Sequence, residues 1–97
     1  MSAQPSSRSR FPDEDAFITA VQALGLGYRK GWYDRRRWGV TLNASADGRR
    51  HWLYGEELGG TDRVSFNLYL VSWRPVLRPC EMPAEKVIAF VIGFNPE

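Results

Sequence analysis

Apolar residues recur along the chain with two different periods, and the first of these predicts a helix. Between residues 13 and 24, apolar positions follow the i, i+3, i+4, i+7 spacing of one buried helical face. Acidic residues crowd the first turn, where they complement the helix dipole, and Gly25 is suited to a left-handed C-terminal cap. The residues on the predicted buried face are Phe17, Ala20, Val21 and Leu24.

The second period is strict alternation, which predicts strands. It is clearest in residues 63–73, where Val64, Phe66, Leu68 and Leu70 alternate with polar side chains. Residues 37–45 and 49–56 are interpreted as a hairpin across Ala46-Asp47-Gly48. After residue 73, Pro75, Pro79 and Pro83 predict an irregular connection, because each proline lacks a backbone donor.

Two registers of that hairpin compete. A two-residue turn at Asp47-Gly48 places Val40 and Leu42 on the same face as Leu53 and His51, whereas a three-residue loop places them with Trp52 and Tyr54. The second register is preferred because it gathers more apolar area on one face. A slip of one residue reverses every side chain, so the register decides whether Trp52 and Tyr54 belong to the core.

The apolar run at residues 87–94 fits two elements. If Pro83 begins a helix, one helical face is apolar, Glu85 lies in the first turn and Gly93 is suited to the C-terminal end. A fourth, buried strand is the alternative, and the four β-branched residues of the run favour it. We expect the helix. Its predicted face comprises Ala84, Val87, Ile88, Val91 and Ile92.

Together these elements predict an α+β fold, with an N-terminal helix on a three-stranded antiparallel sheet and the C-terminal segment as a second helix. The length of 97 residues fits one domain, which we place at residues 11–97 after a disordered tail at residues 1–10. No apolar stretch approaches a membrane span and no secretory signal is evident, so the expected protein is small, soluble and cytoplasmic.

Residues for metal or covalent chemistry are scarce. His51 is the only histidine and Cys80 the only cysteine, and a carboxylate next to Cys80 disfavours its thiolate. Neither a phosphate-binding glycine loop nor a G-x-S-x-G motif occurs. We therefore expect no metal, no cofactor, no catalytic residue and no enzymatic activity.

Basic residues are concentrated in one segment of the chain. The chain carries a net charge of +2, but between Arg29 and Arg50 seven basic residues face only two acidic ones. Six aromatic residues lie between Tyr28 and Tyr54. Tryptophan, tyrosine and arginine dominate protein–protein hot spots, and the same types stack bases and contact phosphates in nucleic-acid sites.

The expected function is therefore that of a small non-catalytic binding module, an interaction, inhibitor or adaptor protein. A protein partner is favoured, a homodimer is possible and no membrane contact is expected; the alternative is a module that binds single-stranded DNA or RNA through residues 29–50. Strand alternation predicts that Tyr33, Arg35 and Arg37 share the side opposite Val40 and Leu42. The predicted binding residues are Tyr33, Arg35, Arg36, Arg37, Arg49 and Arg50.

Overall fold

The computed structural model describes residue 11, residues 13–71 and residues 74–97. Within these ranges the chain forms two helices and six strands. In chain order these are α1 (Glu14–Leu24), β1 (Gly27–Tyr33), β2 (Arg36–Ala44), β3 (Arg50–Glu57), β4 (Arg63–Val71), β5 (Arg74–Pro79), α2 (Ala84–Gly93) and β6 (Asn95–Pro96).

The strands form one antiparallel sheet in the order β5-β4-β3-β2-β1-β6. The α+β class is confirmed, but the prediction of a three-stranded sheet was wrong, because β1, β5 and β6 flank the three expected strands. The predicted disordered tail at residues 1–10 lies outside the described residues.

Both helices pack on one face of the sheet, which we call the inner face. Phe17 of α1 contacts Phe66 of β4, and Phe90 of α2 contacts Trp38 of β2, with ring centroids 5.4 and 4.7 Å apart. The predicted buried face of α1 is confirmed at Phe17, Val21 and Leu24. The core on the sheet side consists of Trp38, Val40, Leu42, Leu53, Val64, Phe66 and Leu68.

The apolar run near the C-terminus is helical, as expected, and the strand alternative was wrong. Its buried face is rotated from the predicted one: Phe90 is 1% exposed at the centre of the core, whereas Ile92 is 41% exposed. The rotation has a structural reason. Phe90 fills the space above Gly55, where β3 presents no side chain to the inner face.

The preferred register of the β2–β3 hairpin was wrong. Leu42 pairs with Leu53 and Ala44 with His51, so the strands take the register of the two-residue turn. The loop between Ser45 and Arg50 holds an even number of residues, which preserves that register. Ser45 Oγ donates to Asp47 Oδ1 at 2.8 Å and accepts from the Arg50 N–H at 3.0 Å. Trp52 and Tyr54 therefore point away from the core.

The proline-rich segment expected to be irregular forms the edge strand β5. Pro75 pairs with Leu70 and Pro79 with Phe66. The Leu70 N–H points away from β5 and donates to the Arg49 carbonyl, whereas the Cys80 N–H donates to the Ser65 carbonyl of β4. The odd-numbered positions of β5 therefore direct their backbone groups toward the open edge of the sheet. Proline costs no ladder hydrogen bond there and prevents further strands from pairing.

Candidate binding face

The face of the sheet opposite the helices, which we call the outer face, carries exposed aromatic rings. Tyr28 is 56% exposed, Trp32 47% and Tyr54 44%, and Trp52 and Tyr69 are half-buried. Among the described residues, no helix or strand packs against this face. The sheet therefore presents large aromatic side chains to solvent on the side where it needs none for packing.

Tyr28 lies flat on this face because Gly39 lacks a side chain. The two residues lie diagonally on neighbouring strands, since Tyr28 pairs with Thr41 and Lys30 pairs with Gly39. A Cβ added to Gly39 would meet the Tyr28 hydroxyl and lie 3.1 Å from its ring. One side of the tyrosine ring thus covers the backbone of β2, and the other faces solvent.

On the same face, Arg50 of β3 holds a second aromatic group. The Arg50 guanidinium lies 4.3 Å from the centre of the Trp52 ring, within range of a cation–π interaction. Its Nε and Nη2 also donate to Asn67 Oδ1 at 3.1 and 2.9 Å. Arg50 and Trp52 are therefore already ordered, with the guanidinium at the surface.

The third group joins Trp32, Arg37 and Glu97. Arg37 donates from Nε and Nη2 to the two carboxylate oxygens of Glu97 at 3.0 and 2.9 Å, and Trp32 Nε1 donates to Oε2 at 3.2 Å. The hydrogen bonds from Arg37 lower the pKa of Glu97, and the same contact raises the pKa of Arg37. This carboxylate remains charged throughout the neutral range.

The two layers of the molecule differ in charge. The helical layer, taken as residues 13–24 and 80–93, is acidic: Asp13, Glu14, Asp15, Glu81 and Glu85 face one basic residue, Lys86. Among the described residues, the outer face has two acidic side chains, Glu56 and Glu97. By strand alternation its basic side chains are Lys30, Arg37, Arg50, Arg63, Arg74 and Arg78.

Of the predicted site residues, only Arg37 and Arg50 lie on this face, and the structure does not bring them together, because Arg37 lies at the start of β2 and Arg50 at the start of the antiparallel strand β3. The prediction that Tyr33 shares their side was wrong, because Tyr33 turns inward and packs edge-on against Phe90 at 4.9 Å. Strand β1 ends at Tyr33, so the alternation does not continue through the following turn.

The remaining predicted residues lie at the start of a strand or in the turns between strands. Arg35 lies in the turn between β1 and β2 with a φ of 67°, and Asp34 beside it has a φ of 52°. Arg36 forms an ion pair of 3.5 Å with Glu57. Arg49 is exposed in the β2–β3 loop, where its N–H donates to Asp47 Oδ1. These residues do not form one cluster.

Sequence reasoning missed Tyr28, Trp32 and Tyr54 as surface residues. Their shared signal is alternation: Tyr28, Lys30 and Trp32 occupy every second position of β1, as Trp52 and Tyr54 do in β3. The signal was hidden because the inward positions Arg29 and Gly31 are not the apolar residues that mark a buried strand face.

His51 and Cys80 lie on opposite faces of the sheet. His51 pairs with Ala44 on the inner side, where it helps to line a cavity of about 240 Å³ between α1 and the sheet, and its buried Nδ1 has no hydrogen-bond partner. Cys80 Sγ lies on the outer side, 4.0 Å from Asn67 Nδ2. The sheet prevents the two side chains from acting as a nucleophile and base pair. In the described part of the chain, no group of three or more His, Cys, Asp or Glu residues could hold a metal ion.

No family model matches this chain, and neither a curated protein nor a solved structure shows significant similarity to it. Within the described ranges, no helix has the length and apolar character needed to cross a membrane.

Proposed function

We propose that the protein binds single-stranded nucleic acid across the outer face of its sheet. The observation that carries this proposal is the combination of exposed aromatic rings with basic side chains on one open surface. A base stacked on an aromatic ring contributes about 1–3 kcal/mol, and any base can stack because each has a π face. Arginine supplies the planar donors that suit phosphate oxygens.

The spacing of the rings supports separate stacking positions. Tyr28 pairs with Thr41, and Thr41 pairs with Tyr54, so the Cα atoms of the two tyrosines are two strands apart, or about 10 Å. The Tyr28 ring lies beside Gly39 of β2, whereas Tyr54 starts from β3, so the two rings are carried by different parts of the face. A flexible single strand can place unpaired bases at such positions, as happens at single-stranded RNA sites.

The width of the surface disfavours a duplex. Strands lie about 4.8 Å apart, so the six-stranded sheet is about 24 Å wide, whereas the major groove of DNA is about 12 Å wide and admits a helix or a two-stranded ribbon. The exposed rings would also have no unpaired bases to stack on in a duplex.

The test is a titration of fluorescently labelled 15-mers of deoxythymidylate and of uridylate, followed by anisotropy at 50 and 200 mM salt. We expect binding that weakens as salt rises. Tyr28→Ala and Tyr54→Ala should each lower the affinity at least about fivefold, the lower end of the stacking energy. Tyr54→Phe should retain it.

Ile92→Ala is the matched control, because Ile92 is an exposed apolar side chain of the helical layer. It should bind both oligonucleotides as the wild type does. Folded tyrosine variants with wild-type affinity, or a wild-type protein that binds neither oligonucleotide, would contradict the proposal.

A protein partner is the second candidate, and the open edge of β1 favours it. β6 pairs only with Gly31 and Trp32, which leaves Gly27–Arg29 without a strand partner on that side among the described residues. Leu26, next to this edge, is 62% exposed.

A second copy of the chain could add a strand there through main-chain hydrogen bonds. Sedimentation equilibrium should then detect a dimer that Leu26→Asp weakens, and a monomer at all concentrations would exclude this pairing.

A further inference from the structure

Three donors from two strands converge on one carboxylate at the β1 side of the outer face. The Arg37 guanidinium contacts both oxygens of Glu97, and the Trp32 indole N–H contacts one of them. The backbone fixes this position, because Glu97 donates its own N–H to the Lys30 carbonyl at 2.9 Å. The backbone hydrogen bond to β1, the strand that also carries Trp32, therefore positions the Glu97 side chain on the outer face.

The donors around Glu97 suit a phosphate group equally well. A guanidinium fork matches two oxygens of either a carboxylate or a phosphate, and a phosphodiester offers two non-bridging oxygens. The indole N–H supplies a third donor, and the Lys30 charge is close enough to contribute to the lowered pKa of Glu97. Nothing in this arrangement requires that the anion belong to the chain itself.

We infer that Arg37, Trp32 and Lys30 form a phosphate subsite, which the Glu97 side chain occupies until a nucleic acid displaces it. This inference rests on the proposed function and assigns one phosphate of the bound strand to this position. The exposed Trp32 ring lies beside the subsite, where it can stack a base of the same strand. Glu97 then acts as a competitor that lowers the affinity of the wild-type protein for nucleic acid.

Solvent access makes the exchange feasible. The side chains of Arg37 and Glu97 are 43% and 39% exposed, so a phosphate oxygen can reach the fork before the carboxylate has fully left. Exposed ion pairs are weak, which keeps the competition modest. The alternative is that the contact only fastens β6 to the sheet, in which case its removal would loosen this edge without improving binding.

The experiment compares Glu97→Gln with Glu56→Gln. Glu56 is an acidic residue of the same face whose side chain forms no hydrogen bond or ion pair within the described residues, so both variants remove one negative charge from one surface. We expect Glu97→Gln to bind the labelled 15-mers about fivefold more tightly than Glu56→Gln. Arg37→Lys in the Glu97→Gln background should abolish that gain, because lysine lacks the fork.

A second measurement reports on the subsite without an oligonucleotide. The Trp32 indole N–H resonance, assigned with Trp32→Phe, should shift on addition of pyrophosphate in Glu97→Gln and shift much less in Glu56→Gln. A subsite that responds to pyrophosphate in a protein that binds no oligonucleotide would refute the proposed function and leave the subsite standing. Equal oligonucleotide affinities of the two glutamine variants, with a silent indole resonance, would refute the subsite and leave the function standing.

Discussion

The two faces of the sheet are built from the same strands but from different residue types. On the inner face, Val40, Leu42 and Leu53 are almost fully buried beneath the helices. On the outer face, the intervening positions hold Thr41, Trp52 and Tyr54. Packing explains the first set, because burial of apolar area stabilises the fold. It does not explain Trp52 and Tyr54 of the second set, whose rings remain in contact with water.

The difference separates stability from surface chemistry. Cross-strand aromatic pairs contribute only about 0.2–1 kcal/mol, and polar residues would solvate the outer face equally well. Aromatic and basic side chains together on a solvated face are therefore the feature that fold stability does not explain. Substitutions on the two faces should have different consequences, and the following predictions test that difference.

The largest effect is expected at Phe90 on the inner side. Phe90→Ala should lower the free energy of unfolding by about 3–5 kcal/mol, because it leaves a cavity among Trp38, Tyr33 and Phe94. Tyr54→Ala on the outer face should lower it by less than about 1 kcal/mol. Urea denaturation measures both values. Similar losses for the two variants would show that the outer face contributes to stability as much as the core does.

Two glycines provide a matched comparison of the faces. A methyl group on Gly31 would overlap the Asn95 carbonyl oxygen and the Phe94 ring, so Gly31→Ala should cost about 1–3 kcal/mol. The three atoms nearest to a methyl group on Gly39 all belong to the Tyr28 side chain, which can rotate away. Gly39→Ala should therefore cost less than about 1 kcal/mol but weaken oligonucleotide binding by lifting the Tyr28 ring. The reverse ranking in thermal denaturation would contradict this assignment.

A smaller, stabilising effect is expected in the β1–β2 turn. Arg35 has a left-handed φ of 67°, a conformation that costs non-glycine residues energy. Arg35→Gly should raise the free energy of unfolding by about 0.5–1 kcal/mol, allowing for the entropy cost of glycine. Because Arg35 lies off the outer face, the affinity for oligonucleotides should stay within about twofold. A clear loss of affinity would restore the binding role that the sequence suggested for it.

The smallest effect concerns the ion pair that joins the helical layer to the sheet. Lys86 Nζ lies 2.6 Å from Asp62 Oδ1 and lowers the pKa of Asp62 below its ordinary value of 3.8. The contribution of this contact is therefore present above that value and is lost as the pH falls through the lowered pKa.

Because the pair is exposed, Lys86→Met should cost about 0–1 kcal/mol at pH 7. The difference between wild type and variant should shrink as the pH falls through the lowered pKa of Asp62. A difference that persists in acid would attribute the effect to packing of the lysine stem rather than to charge.

An element could be predicted from the sequence where its inward positions are apolar and its outward positions are polar. Helix α1 and strand β4 were predicted because one face of each is apolar and the other polar. Strand β1 was not, since its inward positions include Arg29 and Gly31, and Gly31 is required by the close approach of Phe94 and Asn95. Strand β5 was misinterpreted because the direction in which Pro75 and Pro79 face depends on strand pairing.

The outer face escaped prediction for a related reason. The hairpin register depends on whether the β2–β3 loop contains an odd or an even number of residues, and the hydrogen bonds of Ser45 and Asp47 that fix this number are not evident from hydrophobicity. The wrong register placed Trp52 and Tyr54 in the core. The contact between Arg37 and Glu97 joins positions 60 residues apart, so no local pattern could indicate it.

The opposite charges of the helical layer and the outer face give the molecule an electric dipole roughly perpendicular to the sheet. Beyond about 10 Å at ordinary ionic strength, salt screens most of this field. Closer in, an approaching polyanion experiences a torque that turns the outer face toward it and the acidic helices away. Orientation would then precede contact, so productive encounters would be more frequent than a net charge of +2 alone provides.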